Sequence, residues 1–309
     1  MIVTVTPNPS IDRTLGIPPL RRGAVQRARS ATAETGGKGI NVARALATQG
    51  FAALAVAPLS DASAAVVTAL LAGAARLEPV PIDGAIRTNV GLIEDDGTTT
   101  KINEPGPTVS PTEVEALLAR VVALADGADW VAGCGSLPPG APADLYARLA
   151  ARIGARARVA VDTEGPALRA CAGVPIALLK PNRHELEQLA GEPLPSLGAV
   201  VGCAADIVAR GTGAVLVSLG ADGAVLVDGG GAIHAEARID DVANTVGAGD
   251  ALLAGFLAGG GRGEGLAEAV AWSVAACRSP GTRMRPVTQA DRAAVVVHRG
   301  IVAGRRLVD

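Results

Sequence analysis

Short apolar runs alternate along this chain with longer segments of helical periodicity, and this alternation limits the folds that the sequence can adopt. The apolar runs, which end at glycine, proline or charged residues, are 2–5, 52–57, 130–132, 159–161, 176–179 and 214–217. The helical segments between them include 111–124, 143–152 and 197–210. Strands that alternate with helices predict an α/β fold with a mostly parallel sheet and helices on both faces. No internal repeat or low-complexity linker divides the sequence, so we expect one domain over residues 1–309.

Two segments, roughly 11–33 and 86–103, break this alternation. In the second segment, residues 89–94 and 98–102 flank the turn Asp95-Asp96-Gly97, which is typical of a β-hairpin. By themselves the residues indicate no more than a pair of hairpins on the surface.

Composition and charge argue against several classes of function. Hydrophobic residues make up 49% of the chain but aromatic residues only 2%, so the core must be built from Ala, Val, Leu and Ile. The net charge is −2 and the lysines and arginines are scattered, which argues against a nucleic-acid partner. The three histidines show no metal-ligand spacing, and the four isolated cysteines are typical of reduced thiols. No apolar run is long enough to cross a bilayer and no signal peptide is recognisable, so we expect a cytoplasmic protein without a membrane partner.

A glycine-rich motif at residues 244–250 leads directly into the apolar segment 251–258. Small residues at a helix start let backbone N–H groups point outward, where the helix dipole favours an anion. Asp250 would then lie beside a bound phosphate, remain ionised at neutral pH and be placed to accept a proton from an attacking hydroxyl. This arrangement is typical of phosphoryl transfer. A glycine-rich turn with an acidic residue that complements the dipole explains the motif alone equally well.

A second glycine-rich loop, residues 35–39, also leads into a segment with helical spacing, which ends at Gly50. Its three glycines permit close approach of the backbone to a polar ligand, Lys38 supplies a cation, and Asn41 can both donate and accept hydrogen bonds. The spacing matches neither the Walker A motif nor the dinucleotide-binding fingerprint.

Together, in this order, the two loops resemble the paired signatures of the ribokinase/PfkB family of carbohydrate kinases. The resemblance covers nearly the whole chain and includes residues 6–12, 87–89, 102–107, 135–140, 180–185 and 217–220. It implies a ribokinase-like three-layer α/β/α fold. In such a fold the segments 11–33 and 86–103 form a small β lid over the sugar site, and the lid often also forms the contact of a homodimer.

Within the family, the motifs are most similar to those of 1-phosphofructokinases, with tagatose-6-phosphate kinases and minor 6-phosphofructokinases as close relatives. The resemblance therefore implies that ATP, with Mg²⁺, phosphorylates a sugar phosphate, and it favours fructose 1-phosphate as the substrate and fructose 1,6-bisphosphate as the product. A non-catalytic sugar-phosphate or nucleotide sensor is disfavoured because Asp250 and both glycine-rich loops are present. A nicotinamide oxidoreductase is disfavoured because residues 6–10 lack the glycine-rich fingerprint.

The resemblance also assigns a role to individual residues. In the catalytic group Asp250 is the general base, and the backbone amides of Gly247, Ala248 and Gly249 stabilise charge on the transferring phosphoryl group. The residues assigned to the sugar phosphate are Asp12, Arg27, Gly36, Gly37, Lys38, Asn41, Arg87 and Ser136. Asp12 would hold sugar hydroxyls, whereas the arginines and Lys38 would contact the phosphate. For Arg27 a solvated face shared with neighbouring arginines is an equally good interpretation, and for Ser136 a simple turn is nearly as good.

The residues assigned to the nucleotide are Lys180, Asn182, Glu185, Ser218, Gly220 and Gly223. Asn182 and Glu185 have the spacing of a capping box, and in the family they also orient Mg²⁺ through water. Gly220 and Gly223 are equally compatible with a plain hairpin turn.

The sequence departs from the family pattern in two places. Asn244 stands where many members carry Asp or Ser, and we expect this change to be mild. The segment 274–282, which borders the adenine in the family, is about one helical turn shorter than in relatives, and Pro280 stops its helix. This shortening affects the expected ATP preference more than it affects phosphoryl transfer.

Overall fold

The structure is a computed structural model and describes residues 1–281 and 283–308. These residues form fourteen strands and ten α-helices. The strands are β1 (Ile2–Val5), β2 (Ser10–Ile17), β3 (Ser30–Gly36), β4 (Ala53–Leu59), β5 (Arg76–Pro81), β6 (Arg87–Glu94), β7 (Thr99–Asn103), β8 (Trp130–Cys134), β9 (Arg158–Asp162), β10 (Leu178–Leu179), β11 (Ala214–Ser218), β12 (Ala224–Asp228), β13 (Gly231–Ala237) and β14 (Val295–His298). The helices are α1 (Lys38–Thr48), α2 (Asp61–Leu71), α3 (Pro111–Ala125), α4 (Leu145–Ile153), α5 (Gly165–Cys171), α6 (Arg183–Ala190), α7 (Leu197–Ala209), α8 (Ala248–Ala258), α9 (Gly265–Cys277) and α10 (Gln289–Ala293).

Ten of the strands form a central sheet in the order β14-β13-β12-β11-β10-β9-β8-β1-β4-β5. From β5 to β11 every neighbouring pair is parallel, as the alternation of strands and helices predicts. The last three strands extend the sheet by antiparallel pairing. This antiparallel edge was not predicted, because its strands are joined by short turns or lie far apart in the chain and so do not follow the βα rhythm.

Alternate residues of the central strands face two different layers of helices. In β1, Val3 and Val5 pack into a core with residues of α3 to α7, whereas Ile2 packs into a second core with residues of α1, α2, α8 and α9. Since side chains alternate across a strand, one apolar strand serves both cores. The prediction of an α/β sheet covered by helices on both faces is confirmed.

The two segments that break the alternation form a second sheet of four strands in the order β3-β2-β6-β7. Each segment contributes an antiparallel pair, and Gly97 has a positive φ of 88° in the turn between β6 and β7. The pairs are joined by parallel pairing of β2 with β6, in which Ser10 lies opposite Arg87. They are therefore parts of one sheet, which we call the lid, and not two independent surface hairpins.

None of the helices in residues 1–281 and 283–308 combines the length and the apolar composition that a membrane span requires.

Candidate active site

The carboxyl ends of the parallel strands meet at one edge of the central sheet, and the predicted site residues gather there. Asp162 is the last residue of β9, and Lys180 directly follows β10. The helices α1 and α8 pack against each other, and Asn41 of α1 is bonded to Asp250 of α8. A site at the carboxyl ends of the strands is the rule for open α/β sheets.

Helix α8 begins with a first turn that no side chain caps. Gly247 occupies the N-cap position with a φ of 82°, in the left-handed region that favours glycine. The N–H groups of a first helical turn lack partners within the helix and attract anions. Lys180 Nζ lies 3.7 Å from the position that a Cβ atom of Gly249 would take, so a cation flanks this helix start. The arrangement is suited to phosphate.

Asp250, in the first turn of α8, is buried with 9% of its surface exposed. The amide of Asn41 donates a hydrogen bond to Asp250 Oδ2 at 2.8 Å, which joins the two glycine-rich loops directly. Burial, followed by the negative charge of Asp162, raises the pKa of Asp250 from 3.8 to about 6. The carboxylate is still mostly ionised at neutral pH, but its pKa lies closer to 7 than its place near the positive end of a helix dipole suggests. A pKa close to the working pH suits a general base.

Asp162 was not singled out from the sequence, yet it lies at the centre of the site with 1% of its surface exposed. Lys38 Nζ donates to its Oδ1 at 2.7 Å and Lys180 Nζ lies 2.9 Å from its Oδ2. Burial opposes ionisation, but Lys180 and Lys38 outweigh it and lower the pKa of Asp162. Its position at the end of a buried parallel strand was the signal that could have identified it.

Lys38 was predicted to contact the substrate phosphate, and the structure connects it to Glu185, a residue predicted to bind the nucleotide. Besides Asp162, its ammonium lies 3.7 Å from Glu185 Oε1. Burial works against the charge, but Asp162 and Glu185 raise the pKa of Lys38 far above its usual value. The Lys38 side chain as a whole keeps 34% exposure and is therefore only partly buried.

Asn182 and Glu185 form the predicted capping box at the start of α6. Glu185 N–H donates to Asn182 Oδ1 at 2.7 Å, and Asn182 N–H donates to Glu185 Oε2 at 2.8 Å. Ser218 pairs with Asn182 through a parallel bridge, which brings the end of β11 to the same place. Gly220 and Gly223 form the turn into β12 with φ values of 61° and 81°. Both structural interpretations hold, and the roles of these residues toward ATP stay predictions.

Asp12, which was predicted to hold sugar hydroxyls, lies on β2 of the lid. Its Oδ1 accepts hydrogen bonds from the hydroxyl of Ser10 at 2.8 Å and from the amide of Asn89 at 2.9 Å. A Cβ atom at Gly36 would overlap the Asp12 carboxylate and the Ser10 hydroxyl, so only glycine fits there. Gly37 has a φ of 117° and packs against Thr6, which explains the second glycine. Asn89 was missed as a site residue, although it lies two positions after Arg87 on the same face of β6.

Arg87 donates from Nη1 to the carbonyl of Glu104 at 3.0 Å, and its Nε lies buried without a hydrogen-bond partner in the described part of the chain. Burial lowers the pKa of Arg87, while Asp12 and two other carboxylates counteract this effect. A partly buried guanidinium with a buried, unused N–H donor is suited to bind an anion.

Arg27 and Ser136 differ in how the structure places them. Arg27 is exposed in the connection between β2 and β3 and forms no ion pair with any described residue, which agrees with the solvated-face interpretation. Ser136 is partly buried and follows Gly135, whose N–H donates to the Asp162 carbonyl at 2.7 Å. Ser136 therefore follows a residue that is bonded to the backbone of Asp162, and Arg27 is not tied to the site.

A cavity of 140 Å³ lies against Asp250 between the starts of α1 and α8. Arg44 and Arg283, which sequence reasoning missed, line it together with Asn41 and Gly247. Arg44 is 6% exposed and donates to the hydroxyl of Thr35 at 3.3 Å. Arg44 lies within helix α1 and Arg283 in the irregular segment after α9, so neither belongs to a motif that points to a ligand.

Asn244 and the segment 274–282, the two places where the sequence departs from the family pattern, contact each other in the structure. Asn244 donates from Nδ2 to the carbonyl of Gly281 at 2.7 Å and accepts from Val246 N–H at 3.0 Å. It thus holds the loop before α8 against the segment that follows α9. That helix ends at Cys277, ahead of Pro280, and Thr282 lies outside the described residues.

Comparison with known proteins identifies the family. The pattern of the pfkB family carbohydrate kinases matches residues 6–279. The chain is 39% identical over 294 residues to the 1-phosphofructokinase of Rhodobacter capsulatus, and this match covers 92% of this chain and 93% of the relative. It is 35% identical over 262 residues to the 1-phosphofructokinase of Bacillus subtilis, with 84% and 85% covered. Among solved structures, phosphofructokinase-2 from Escherichia coli in complex with potassium is similar with a TM-score of 0.86 and 29% identity, and the match covers 94% of this chain and 96% of that one. The chain therefore belongs to the pfkB family of carbohydrate kinases.

Proposed function

We propose that this carbohydrate kinase transfers the γ-phosphoryl group of ATP to the C6 hydroxyl of fructose 1-phosphate and forms fructose 1,6-bisphosphate. The observation that carries the proposal is the buried Asp250 carboxylate, which Asn41 orients at the uncapped start of α8. Identities of 39% and 35% to two 1-phosphofructokinases, over 92% and 84% of this chain, support the choice of sugar. We further infer that the lid belongs to the same single domain as the central sheet.

Asp250 accepts the proton of the attacking hydroxyl while that oxygen forms its bond to the γ-phosphorus. The bond from this phosphorus to the β,γ-bridging oxygen breaks, and ADP leaves with the electron pair. The amides of Gly247, Ala248 and Gly249 stabilise the negative charge on the phosphoryl oxygens, as such chemistry depends on positioned donors more than on a strong base. Lys38 and Lys180, which both pair with Asp162, add two positive charges near the transferring phosphoryl group.

The sugar phosphate lies between the lid and α1. Asp12 accepts hydrogen bonds from sugar hydroxyls, and Asn41 and the backbone at Gly36 and Gly37 fix the sugar ring. Arg87 binds the existing phosphate through its unused Nε–H, and Ser136 is a further contact. The exposed Arg27 is not part of this contact set. Closure of the lid over this site excludes water, which suppresses hydrolysis of ATP.

The nucleotide lies on the other side of Asp250, along Lys180, Asn182, Ser218, Gly220 and Gly223. The residues present fit Mg²⁺ carried by ATP, because this ion keeps several waters and needs only one or two carboxylates besides phosphate. Glu185 offers such a carboxylate, since its Oε2 caps α6 while its Oε1 faces Lys38 at 3.7 Å. When bound through water to Glu185 and Asn182, Mg²⁺ neutralises charge on the phosphates.

The lid also offers a surface for a homodimer. Its face opposite Asp12 carries Leu15, Val90, Leu92 and Ile102, which pair across β2, β6 and β7. Ile102 is 57% exposed. A structure of E. coli phosphofructokinase-2, 30% identical with a TM-score of 0.84, is a tetrameric inhibited form. We expect Ile102→Lys to lower the sedimentation coefficient from that of a dimer to that of a monomer. An unchanged value would exclude this surface as the dimer contact.

The test of the proposed reaction is kcat/KM with ATP for fructose 1-phosphate, fructose 6-phosphate and tagatose 6-phosphate under one set of conditions. We expect fructose 1-phosphate to be preferred. A preference of tenfold or more for either 6-phosphate, about 1.4 kcal/mol of transition-state binding, would change the substrate but leave the kinase reaction in place. If none of the three is phosphorylated although ATP binds, the proposal fails and the alternative of a non-catalytic sensor gains support.

A further inference from the structure

Away from the active site, residues 299–308 pack against the turn that joins β11 to β12. We call residues 299–308 the brace and the turn Gly220–Gly223 the β11–β12 turn. The turn carries two of the glycines that the proposed function assigns to ATP, and the present inference rests on that assignment. The brace itself has no assigned role.

Asp222 connects the two elements. Its side chain is buried with 7% exposure, and both carboxylate oxygens accept hydrogen bonds from the brace. Arg305 donates from Nη2 to Oδ1 at 2.9 Å, and Val308 N–H donates to Oδ2 at 2.6 Å. A buried carboxylate that loses its cationic partner is strongly disfavoured, so docking of the brace stabilises this conformation of the turn.

The brace is itself fixed to the body of the protein. Leu307 is 9% exposed and packs into the core formed with α3 to α7. The carbonyl of Arg305 accepts from Leu197 N–H at 2.9 Å, and Leu307 N–H donates to the carbonyl of Pro195 at 3.1 Å. Arg305 also binds Glu236 on β13, so one guanidinium holds two carboxylates. These contacts make the brace a rigid support.

The β11–β12 turn has little freedom of its own. A Cβ atom at Gly223 would overlap the carbonyl of Ala235, so the turn lies directly on β13. The carbonyl of Asp222 also contacts His234 Nε2 at 2.7 Å. We propose that Arg305 is a positioning residue for ATP, because it holds Asp222 and thereby fixes the backbone of Gly220 and Gly223 where the nucleotide binds.

The test compares Arg305→Met with Arg306→Met in the full chain. Methionine keeps the length of the side chain and removes the charge, and Arg306 is the exposed neighbour whose side chain forms no ion pair with a described residue. We expect Arg305→Met to raise KM for ATP about tenfold, while kcat and KM for the sugar phosphate stay within about twofold. Arg306→Met should leave all three constants unchanged.

A double-mutant cycle with Asp222→Asn keeps the test independent of a general loss of stability. If Arg305 acts through Asp222, the double variant should raise KM for ATP no more than the larger single effect. An unchanged KM for ATP in Arg305→Met, equal increases of both KM values, or additive effects in the cycle would overturn the proposal. If the wild-type protein phosphorylates none of the sugars, the proposed function fails separately. Calorimetric titration with ATP then measures the same ratio as dissociation constants, and an equal value for wild type and Arg305→Met overturns the inference.

Discussion

Asp250→Asn should abolish most of the activity and at the same time stabilise the protein. The structure predicts both effects from one cause, the burial of a carboxylate that must be ionised to work. Burial raises its pKa from 3.8 to about 6, so the folded protein binds this proton more tightly than the unfolded chain does. The contribution of Asp250 to stability is therefore complete below pH 4 and is lost as the pH rises to about 6 and beyond.

The magnitude follows from the difference between these two pKa values. About two pH units at 1.36 kcal/mol each give a cost of about 3 kcal/mol for the ionised group at pH 8. Asparagine has nearly the same shape and no charge, but its hydrogen bond with Asn41 is weaker than that of a carboxylate. We therefore expect a gain of about 1–3 kcal/mol at pH 8, or a few degrees in Tm, and a loss of kcat of about two to four orders of magnitude.

The assay is calorimetric unfolding of the ligand-free wild type and variant at pH 8 and pH 5, combined with kcat at pH 8. The stability gain should be smaller at pH 5, because the wild-type carboxyl is then largely protonated. Asp206→Asn, on the exposed side of α7, is the control that removes a charge without burial. A variant less stable than wild type at pH 8, or a gain that does not depend on pH, would refute the reasoning, and near-normal turnover would show that Asp250 is not the base.

Three further predictions concern the same site. The acid limb of kcat/KM for the sugar phosphate should lie near pH 6, because Asp250 must be ionised to accept the proton, and a limb below pH 4.5 would contradict this. Arg87→Ala should raise KM for the sugar phosphate about 10- to 100-fold and change weak activity on free fructose little, since a charge-assisted contact contributes about 1.5–3 kcal/mol; equal losses on both substrates would indicate a purely structural role in β6. Asp162→Asn should lower kcat at least about tenfold and move the acid limb to lower pH, because Asp162 holds both lysines and raises the pKa of Asp250; steady-state profiles with an unshifted limb would count against this coupling.

Much of the site was predictable because its chemistry is local in sequence. Gly37 and Gly247 adopt positive φ values that the glycine-rich loops require, and the Asn182–Glu185 capping box depends only on residues three apart. Asn41 and Asp250 were each predicted from their own helix start, but their hydrogen bond spans 209 positions in the chain and became visible only in the structure.

The residues that sequence reasoning missed depend on neighbours in space. Asp162 lies at the end of an ordinary apolar strand, and its importance comes from two lysines at positions 38 and 180. For Lys38 the sequence indicates a charge, but it does not indicate which residues the charge pairs with, because its partners Asp162 and Glu185 are distant in the chain. Which strands lie side by side decides such questions, and apolar patterning alone does not determine it.

The parallel pairing of β2 with β6 in the lid has a consequence for the order in which the site is assembled. Asp12 and Asn89, which contact each other in the lid, are separated by 77 positions that contain α1, β4, α2 and β5. Closing a loop of this length costs entropy before any lid contact compensates for it. We therefore expect the lid to form after that part of the central sheet has folded and to be among the first elements to open in local unfolding of the native state. We expect a partly opened molecule to lose the contacts proposed for the sugar phosphate, whereas the residues proposed to bind the nucleotide, which are built on the central sheet, stay in place.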